Sequence, residues 1–236
     1  MFSRWDFALS KRENLARLLQ ERNVIGAGSE NWLLNVSKVL KRRFDPAGRD
    51  RALVLLAQRG CDLAIWKPIL LWHMTRDEFL LRDFLIHWLF PAWEEGAYRV
   101  RPAQLYPYLH SIERRGGKIE HSWKESTLRR VAGELLHMAA DFGLLQGRAV
   151  KTFATYRLPD PSFLYLLHVL REESQSPGKI IAAPDWRMFL LRPADVEREL
   201  LRLHQFRQLD YEVAGSLIQL TLPCANARDY AERLVA

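Results

Sequence analysis

A row of polar side chains recurs at intervals of three and four residues between positions 124 and 137. The row consists of Lys124, Thr127, Arg130, Glu134 and His137, with Arg129 beside it. Such spacing puts residues on one face of an α-helix. A helix in the major groove of DNA presents basic and polar side chains in this way near its N-terminal half, and its N-terminus also favours a phosphate. The row therefore predicts contact with DNA.

Further basic residues flank this row and extend the predicted DNA-binding surface. They are Arg114, Arg115 and Lys118 before it, Arg148, Lys151 and Arg157 after it, and Lys41, Arg42 and Arg43 at the end of an earlier helix. We expect these side chains to bind phosphates. No Asn or Gln stands at a clear base-reading position, so the pattern favours binding through phosphates over sequence reading. The alternative is that Arg129 and Arg130 form only a solvated helix face.

The helix that positions the row is bounded by clear signals. Ser122 and Glu125 have the spacing of a capping box, and Gly143 is a typical C-terminal stop. The core face of this helix is formed by Leu128, Val131, Ala132, Leu135, Met138, Ala139 and Phe142. Residues 151–158 alternate polar and apolar side chains, which predicts a strand and hence a basic hairpin after the helix. A helix followed by a basic hairpin is the second half of a winged helix.

The charge of the 236-residue chain is unevenly distributed. Its formal net charge of +7 comes from two basic blocks, residues 1–59 and 99–158, each with a net charge of +6. Residues 60–98 carry −3 and residues 159–236 carry −2. Clustered positive charge is typical of a protein that binds a phosphate backbone, and the acidic block 60–98 is expected to face away from such a ligand. The excess of Arg over Lys is also expected of a GC-rich genome, so charge alone leaves both readings open.

The rest of the chain is predicted to be mainly α-helical. We expect a helical bundle over residues 1–96, then a winged-helix-like α+β region over 97–236 that contains two helix-hairpin units, 122–158 and 193–222. Helices are predicted at 4–22, 30–44, 49–59, 62–74 with an interruption at Pro68, 75–88, 102–114, 162–173, 186–191, 193–208 and 226–235. Ser29 and Asp62 are the expected N-caps of the helices that follow them. Residues 91–96 read as a connection. Residues 209–214 and 217–222 flank a Gly-Ser pair, which predicts a hairpin.

Signatures of catalysis, metal binding and membrane insertion are missing from the sequence. There is no phosphate-cradling glycine loop, no H-E-x-x-H zinc motif and no paired cysteine motif. His73 and His87 lie in apolar stretches and are expected to be satisfied core or partly buried residues. No segment resembles a signal peptide, and no apolar run approaches bilayer length. We therefore expect a cytoplasmic protein that is not an enzyme, with no cofactor, metal, small-molecule substrate or membrane contact.

Two segments carry a resemblance to a known family. ESTLRRVAGELLHMAADFGLL and, after a gap, YRLPDPSFLYLLHVL resemble the BrxA family of bacterial BREX phage-defence systems, with a weaker match in SRWDFALSKRENLARLLQ and WLLNVSKVLKRR. Members usually carry small residues or glycines after the initial Ser-Arg, where this chain has Trp5 and Asp6. That departure indicates a divergent member.

The resemblance implies a small, mostly helical, non-enzymatic DNA-binding component of a defence island. It also implies an N-terminal bundle similar to the antitermination protein NusB, which adds RNA as a candidate ligand. Members have been labelled inner-membrane proteins, and the hydropathy of this chain argues against that label. Our leading hypothesis is an accessory protein of BREX phage defence that binds double-stranded DNA. The alternatives are a scaffold whose 60–98 and 159–236 surfaces dock other BREX components, and a NusB-like RNA binder.

Overall fold

The computed structural model describes residues 1–20, 30–117, 123–215 and 217–236. Three predicted features lie outside these residues: the helix cap at Ser29, the capping box of Ser122 and the hairpin-turn residue Ser216. Lys118, a predicted phosphate ligand, also lies outside them. The side chains of Glu113, Arg115 and residues 19–20 and 30–33 are likewise outside the description.

The chain is mainly α-helical, as the sequence predicts. The α-helices are α1 (Lys11–Gln20), α2 (Glu30–Arg43), α3 (Arg51–Gln58), α4 (Leu63–Thr75), α5 (Phe79–Phe84), α6 (Phe90–Glu94), α7 (Tyr106–His110), α8 (Glu125–Asp141), α9 (Asp160–Glu173), α10 (Pro177–Ile181), α11 (Pro193–Gln205) and α12 (Ala227–Leu234). A π-helical segment, Leu85–Leu89, joins α5 to α6. Single 3₁₀ turns occupy Phe2–Arg4, Pro102–Leu105, Ile112–Arg115 and Pro184–Phe189. In the described residues, no helix combines the length and the apolar character needed to cross a membrane.

Two small antiparallel sheets complete the fold. The strands are β1 (Arg99–Val100), β2 (Leu145–Gln146), β3 (Lys151–Phe153), β4 (Asp210–Ala214) and β5 (Leu217–Thr221). The first sheet has the order β1-β3-β2, so the last strand in sequence lies in the middle. The second sheet is the hairpin β4-β5, which the Gly-Ser pair predicts. The predicted strand 151–158 is wrong beyond Phe153, and β1 was not predicted.

The first helix begins later than the sequence spacing predicts. Residues 4–10 are not part of α1, which starts at Lys11. The reason is a capping box: the hydroxyl of Ser10 accepts from the backbone N–H of Glu13, and the Glu13 carboxylate accepts from the N–H of Ser10. The buried Asn14 side chain also accepts from the N–H of Asp6, which holds the preceding segment in a turn. Ser10 therefore fixes the helix start.

Two predicted breaks are absent, and one predicted helix is divided. Helix α4 is continuous through Pro68, and its predicted cap is confirmed because Asp62 accepts from the N–H of Ala64. The predicted connection at 91–96 is largely helix α6, reached through the π-helical segment. The predicted helix 102–114 is instead α7 between two 3₁₀ turns.

A buried chain of polar groups joins α4 to α9 and to the start of α3. His73 Nδ1 lies 2.6 Å from Asp50 Oδ1, and His73 Nε2 lies 2.8 Å from the Tyr165 hydroxyl. Burial lowers the pKa of His73, although Asp50 opposes this shift. Burial works to raise the pKa of Asp50, but its hydrogen bond with His73 brings that pKa below its usual value. The prediction of a satisfied core histidine is confirmed for His73.

A second buried polar cluster is centred on Asp185, in the 3₁₀ turn before α11. Its carboxylate accepts from Trp72 Nε1 at 2.9 Å and from both terminal nitrogens of Arg82 at 3.0 Å. Trp186, which follows, stacks on Phe163 with 4.8 Å between ring centroids. One hydrophobic core extends across residues on both sides of position 96. The predicted domain boundary at 96 stays a prediction.

We expect Asp185→Ala to lower the free energy of unfolding by about 2–4 kcal/mol. The change leaves the Arg82 guanidinium and the Trp72 indole N–H without their buried acceptor. The matched control is Glu232→Ala, which removes an exposed i,i+4 pair with Arg228 and should cost less than about 0.5 kcal/mol. Denaturant unfolding followed by circular dichroism measures both variants. Equal losses of unfolding free energy in the two variants would contradict the assignment of Asp185 as a buried link from α4 and α5 to the 3₁₀ turn at 184–189.

We expect His168 to make the protein less stable as pH falls. His168 is buried on α9, and its Nε2 has no hydrogen-bond partner among the residues that the structure describes. Burial, helped by Arg171, lowers the pKa of His168 to about 4. An unfolded-state pKa of about 6.5 means that the unfolded chain binds the extra proton as pH drops from about 6.5 towards 4. Stability is therefore lost across that window, by up to about 1.4 kcal/mol per pH unit.

His168→Leu should flatten this pH dependence, because the variant has no imidazole to protonate. Unfolding free energies measured at several pH values between neutral and acidic compare the variant with the parent. His110→Leu is the control, because His110 is exposed and should leave the slope unchanged. The same slope in His168→Leu as in the parent would refute the assignment.

Candidate nucleic-acid interface

Helix α8 positions the predicted DNA-contacting row. The predicted core face is confirmed for the buried Leu128, Ala132, Leu135 and Ala139, whereas Val131, Met138 and Phe142 are half-buried and Leu136, which was not predicted, is buried. These residues pack α8 against α7, β2 and the 3₁₀ turn at 102–105. On the opposite side Lys124, at the N-cap, and Arg129, Arg130 and His137 are exposed, whereas Thr127 is half-buried. The row predicted from spacing is thus a real helix face, with Thr127 at its margin.

Carboxylates divide this face into two halves. Arg130 donates to Glu134 at 2.9 Å, and His137 Nε2 lies 3.8 Å from Asp141. Lys124 and Arg129 have no carboxylate partner within the described parts of the chain. The positive charge without a fixed counter-charge therefore lies in the first turns of α8, where the helix N-terminus adds its own partial positive charge.

The turn between β2 and β3 places two predicted cations very differently. Arg148 is exposed at the turn. Lys151 is 9% exposed, and its ammonium donates to the carbonyl of Gly147 at 2.7 Å. Lys151 pairs in register with Val100, which is buried on the inner face of the sheet. We therefore correct the placement of Lys151 from a phosphate ligand to a residue that holds the turn. The alternation of side chains along the strand already indicated an inward-facing Lys151, because it shares a strand face with the apolar Phe153.

Arg157 lies beyond the hairpin on which the sequence placed it. Strand β3 ends at Phe153, so Arg157 belongs to the segment that leads into α9. Its side chain is 73% exposed and lies 3.8 Å from Asp160, which also receives Arg202. Arg157 is therefore accessible, but it shares the neighbourhood of a carboxylate.

The basic end of α2 meets the start of the 99–158 block across a cleft of about 800 Å³. Arg42 and Arg43 line one side, and Gly116, Gly117 and Trp123 line the other. Lys41 and Arg114 are exposed nearby in sequence, on α2 and in the 3₁₀ turn respectively. The two basic blocks thus approach each other in this cleft.

Acidic residues of the intervening block occupy the same cleft. Glu78 forms ion pairs with Arg43 and with Arg42, the latter at 3.4 Å, and Asp77 pairs with Arg49. Burial lowers the pKa of Arg43, although Glu78 opposes this shift. Although the acidic block 60–98 is expected to face away from an anionic ligand, Asp77 and Glu78 lie beside cations of the predicted basic surface. These carboxylates neutralise part of the charge that the sequence assigned to DNA.

The sequence pattern did not predict strand β1 or the cations beside it. Arg99 and Arg101 flank the buried Val100, and both are exposed. The alternating triplet Arg-Val-Arg is itself a strand signal, but three residues are too few to separate it from a loop. Among the described residues, no three His, Cys, Asp or Glu side chains come together as a metal site would require.

A comparison with protein-family models gives one match. The family model BrxA matches residues 8–174, more than half of the chain. The matched range contains α8 and the β1-β3-β2 sheet, whereas α11, α12 and the β4-β5 hairpin lie outside it. No curated protein and no solved structure matches the chain.

We expect Lys151→Met to lower the free energy of unfolding by about 1–2 kcal/mol. The substitution keeps the length of the side chain but removes the charged donor to the Gly147 carbonyl. Arg148→Met, three residues earlier on the exposed turn, should change stability by less than about 0.5 kcal/mol. Thermal and denaturant unfolding compare the two variants. A neutral Lys151→Met would return Lys151 to the set of candidate phosphate ligands.

Proposed function

Because the chain belongs to the BrxA family of BREX phage-defence proteins, we propose that it binds double-stranded DNA through α8 and the β2–β3 turn as an accessory component of that defence system. The observation that carries this proposal is the set of exposed cations without carboxylate partners in the described part of this module: Lys124, Arg129 and Arg148. Cations that are not already neutralised can exchange condensed counterions for DNA phosphates, which is the main source of affinity in such complexes.

The order of elements supports a winged-helix module for residues 99–158. β1, α7, α8, β2 and β3 follow one another along the chain, and β3 lies between β1 and β2 in the sheet. In this arrangement α8 is the recognition helix and the β2–β3 turn is the wing. Helix-turn-helix proteins place the N-terminal residues of that helix in the major groove. Lys124 and Arg129 are at the end of α8 that this docking requires.

The proposed contact is with phosphates and does not read sequence. Glu134 and Asp141 are exposed on the C-terminal half of α8, where they would repel a phosphate backbone. The N-terminal half has one exposed carboxylate, Glu125, beside the two cations Lys124 and Arg129, so the duplex is held at this half and His137 lies away from it. Within the cleft at α2, Glu78 forms ion pairs with Arg42 and Arg43. These two arginines therefore contribute less to DNA binding than Lys124 and Arg129.

We also propose that the protein acts by binding and not by catalysis. The polar group most like a catalytic relay, Asp50–His73–Tyr165, is buried at all three residues. Burial also raises the pKa of the Tyr165 hydroxyl, which makes it a poor nucleophile. This support is independent of the DNA contact.

A second candidate function is docking of another BREX component. Large apolar side chains are exposed on α11 and on the β4-β5 hairpin: Leu201, Phe206, Val213 and Leu217. Val213 and Leu217 belong to neighbouring residue pairs of the hairpin and therefore point to opposite faces, so this unit offers exposed apolar contacts on two sides. Exposed apolar side chains are common at protein interaction sites. This unit lies outside the residues matched by the family model, so its partner need not be shared across the family. A NusB-like role in RNA binding is a third outcome that the experiment below distinguishes.

We expect the triple variant Lys124→Gln, Arg129→Gln, Arg148→Gln to bind duplex DNA more than tenfold more weakly. Three lost phosphate contacts should also reduce the slope of log K against log salt concentration by about 3. Fluorescence anisotropy with a labelled duplex at several salt concentrations measures both quantities. The control is Arg187→Gln, Arg198→Gln, Arg228→Gln, which removes the same charge from exposed positions elsewhere.

The outcomes separate the candidate functions. Equal loss in both triple variants would mean that net charge alone attracts DNA, and it would refute the site. No binding of the parent protein at physiological salt would favour the docking function. Tighter binding to an RNA duplex of the same sequence would favour the RNA-binding alternative.

A further inference from the structure

The outer face of the three-stranded sheet carries a polar row that the duplex interface does not use. Arg99 pairs in register with Thr152, and Thr152 pairs with Gln146 on its other side. Residues paired across neighbouring antiparallel strands point to the same face of a sheet. The inner face is defined by the buried Val100 and Lys151, so this row faces outwards. The exposure of Arg99 and Gln146 agrees with that assignment.

An exposed aromatic ring lies beside Arg99 of this row. Tyr98 is 73% exposed, and the guanidinium carbon of Arg99 lies 5.5 Å from the centre of its ring. Arg99 has no carboxylate partner within the described residues. Glu94, in the preceding helix, is held by Arg192 at 2.9 Å. The pair therefore offers a flat apolar surface beside a cation whose charge is available.

These groups together match the chemistry of an unpaired nucleotide. A nucleobase stacks on an exposed aromatic ring, the neighbouring phosphate binds a cation, and side-chain amides and hydroxyls bond to base edges or sugar. Other nucleic-acid-binding sheets use exposed aromatic residues in the same way. The bases of an intact duplex are stacked on each other and cannot reach Tyr98 face to face. The ligand class is therefore single-stranded.

We propose that Tyr98, Arg99, Gln146 and Thr152 bind an unpaired segment of a nucleic-acid strand that adjoins the duplex held by α8. This inference rests on the proposed duplex binding only for the position of the strand. The stacking surface itself would bind an isolated single strand. The protein would then favour DNA with a single-stranded overhang over a blunt duplex.

The test compares three labelled probes with the full-length protein: a blunt duplex, the same duplex with a single-stranded overhang, and a homopyrimidine single strand. The parent protein should bind the overhang probe more tightly than the blunt one. Tyr98→Ala should remove this preference, with about a tenfold loss of affinity for the overhang and single-stranded probes and none for the blunt duplex. Tyr98→Phe should keep it, because the ring can still stack.

Arg99→Gln should weaken the same two probes and lower their salt dependence. Phe206→Ala is the matched control. Like Tyr98, Phe206 is an exposed ring with an arginine nearby, since Arg202 lies 5.9 Å from the ring centre. Unlike Arg99, Arg202 is already neutralised by Asp160 and Glu199, so this variant should bind all three probes like the parent. Unchanged thermal unfolding of the variants confirms folding.

Failure of this inference and failure of the proposed function give different results. A parent protein that binds blunt and overhang probes equally, or a preference that survives Tyr98→Ala, overturns the single-strand site and leaves duplex binding intact. An equal loss in Phe206→Ala also overturns the site. Absence of blunt-duplex binding overturns the proposed function, while binding of the homopyrimidine strand that depends on Tyr98 still supports the sheet site.

Discussion

The hydrogen bonds of the buried Asp185 carboxylate join α4 and α5 to the 3₁₀ turn at 184–189, and the packing of these two regions depends on them. The carboxylate accepts hydrogen bonds from Trp72 on α4 and from Arg82 on α5, more than 100 residues earlier in the chain. A buried charge without such partners would cost several kcal/mol, so each partner is needed to keep the others in place. The Trp186–Phe163 stack beside it then seats α9 against the 3₁₀ turn. Helix α12 adds to this arrangement by packing on both α3 and α9.

The same principle of pairing decides which cations are available for function. The 99–158 block has a net charge of +6, but Arg130, His137 and Arg157 lie close to carboxylates and Lys151 is buried against a carbonyl oxygen. In the cleft at α2, Asp77 and Glu78 neutralise cations of the first basic block. Within the described residues of the 99–158 block, the exposed cations without a carboxylate partner are Lys124 and Arg129 at the start of α8, Arg148 on the β2–β3 turn, Arg99 and Arg101 at β1, and Arg114. A phosphate backbone is attracted to such charge because no internal ion pair has to be broken.

Local patterns were sufficient to predict several elements. Apolar spacing identified the core face of α8, the Gly-Ser pair identified the β4-β5 hairpin, and Asp62 was recognised as a helix cap. These features depend on residues within one or two turns of each other, and that is the range over which helical periodicity and capping act. The late start of α1 is also a local feature, because Ser10 and Glu13 have the spacing of a capping box. The prediction of a helix from residue 4 followed the apolar periodicity and did not use this spacing.

The sequence by itself determined the mainly helical fold, the core face and the polar face of α8, and the two regions of excess positive charge. Only the tertiary structure decided which charges are free. Glu78 is 35 residues from Arg43 in sequence, and Lys151 lies on the inner face of the sheet in register with Val100 of β1, more than 50 residues earlier. Ion pairing and burial depend on distances in space, and those distances are set by the packing of the whole core. Residue types and their spacing therefore predict where cations lie along a helix, but not which of them a neighbouring carboxylate neutralises.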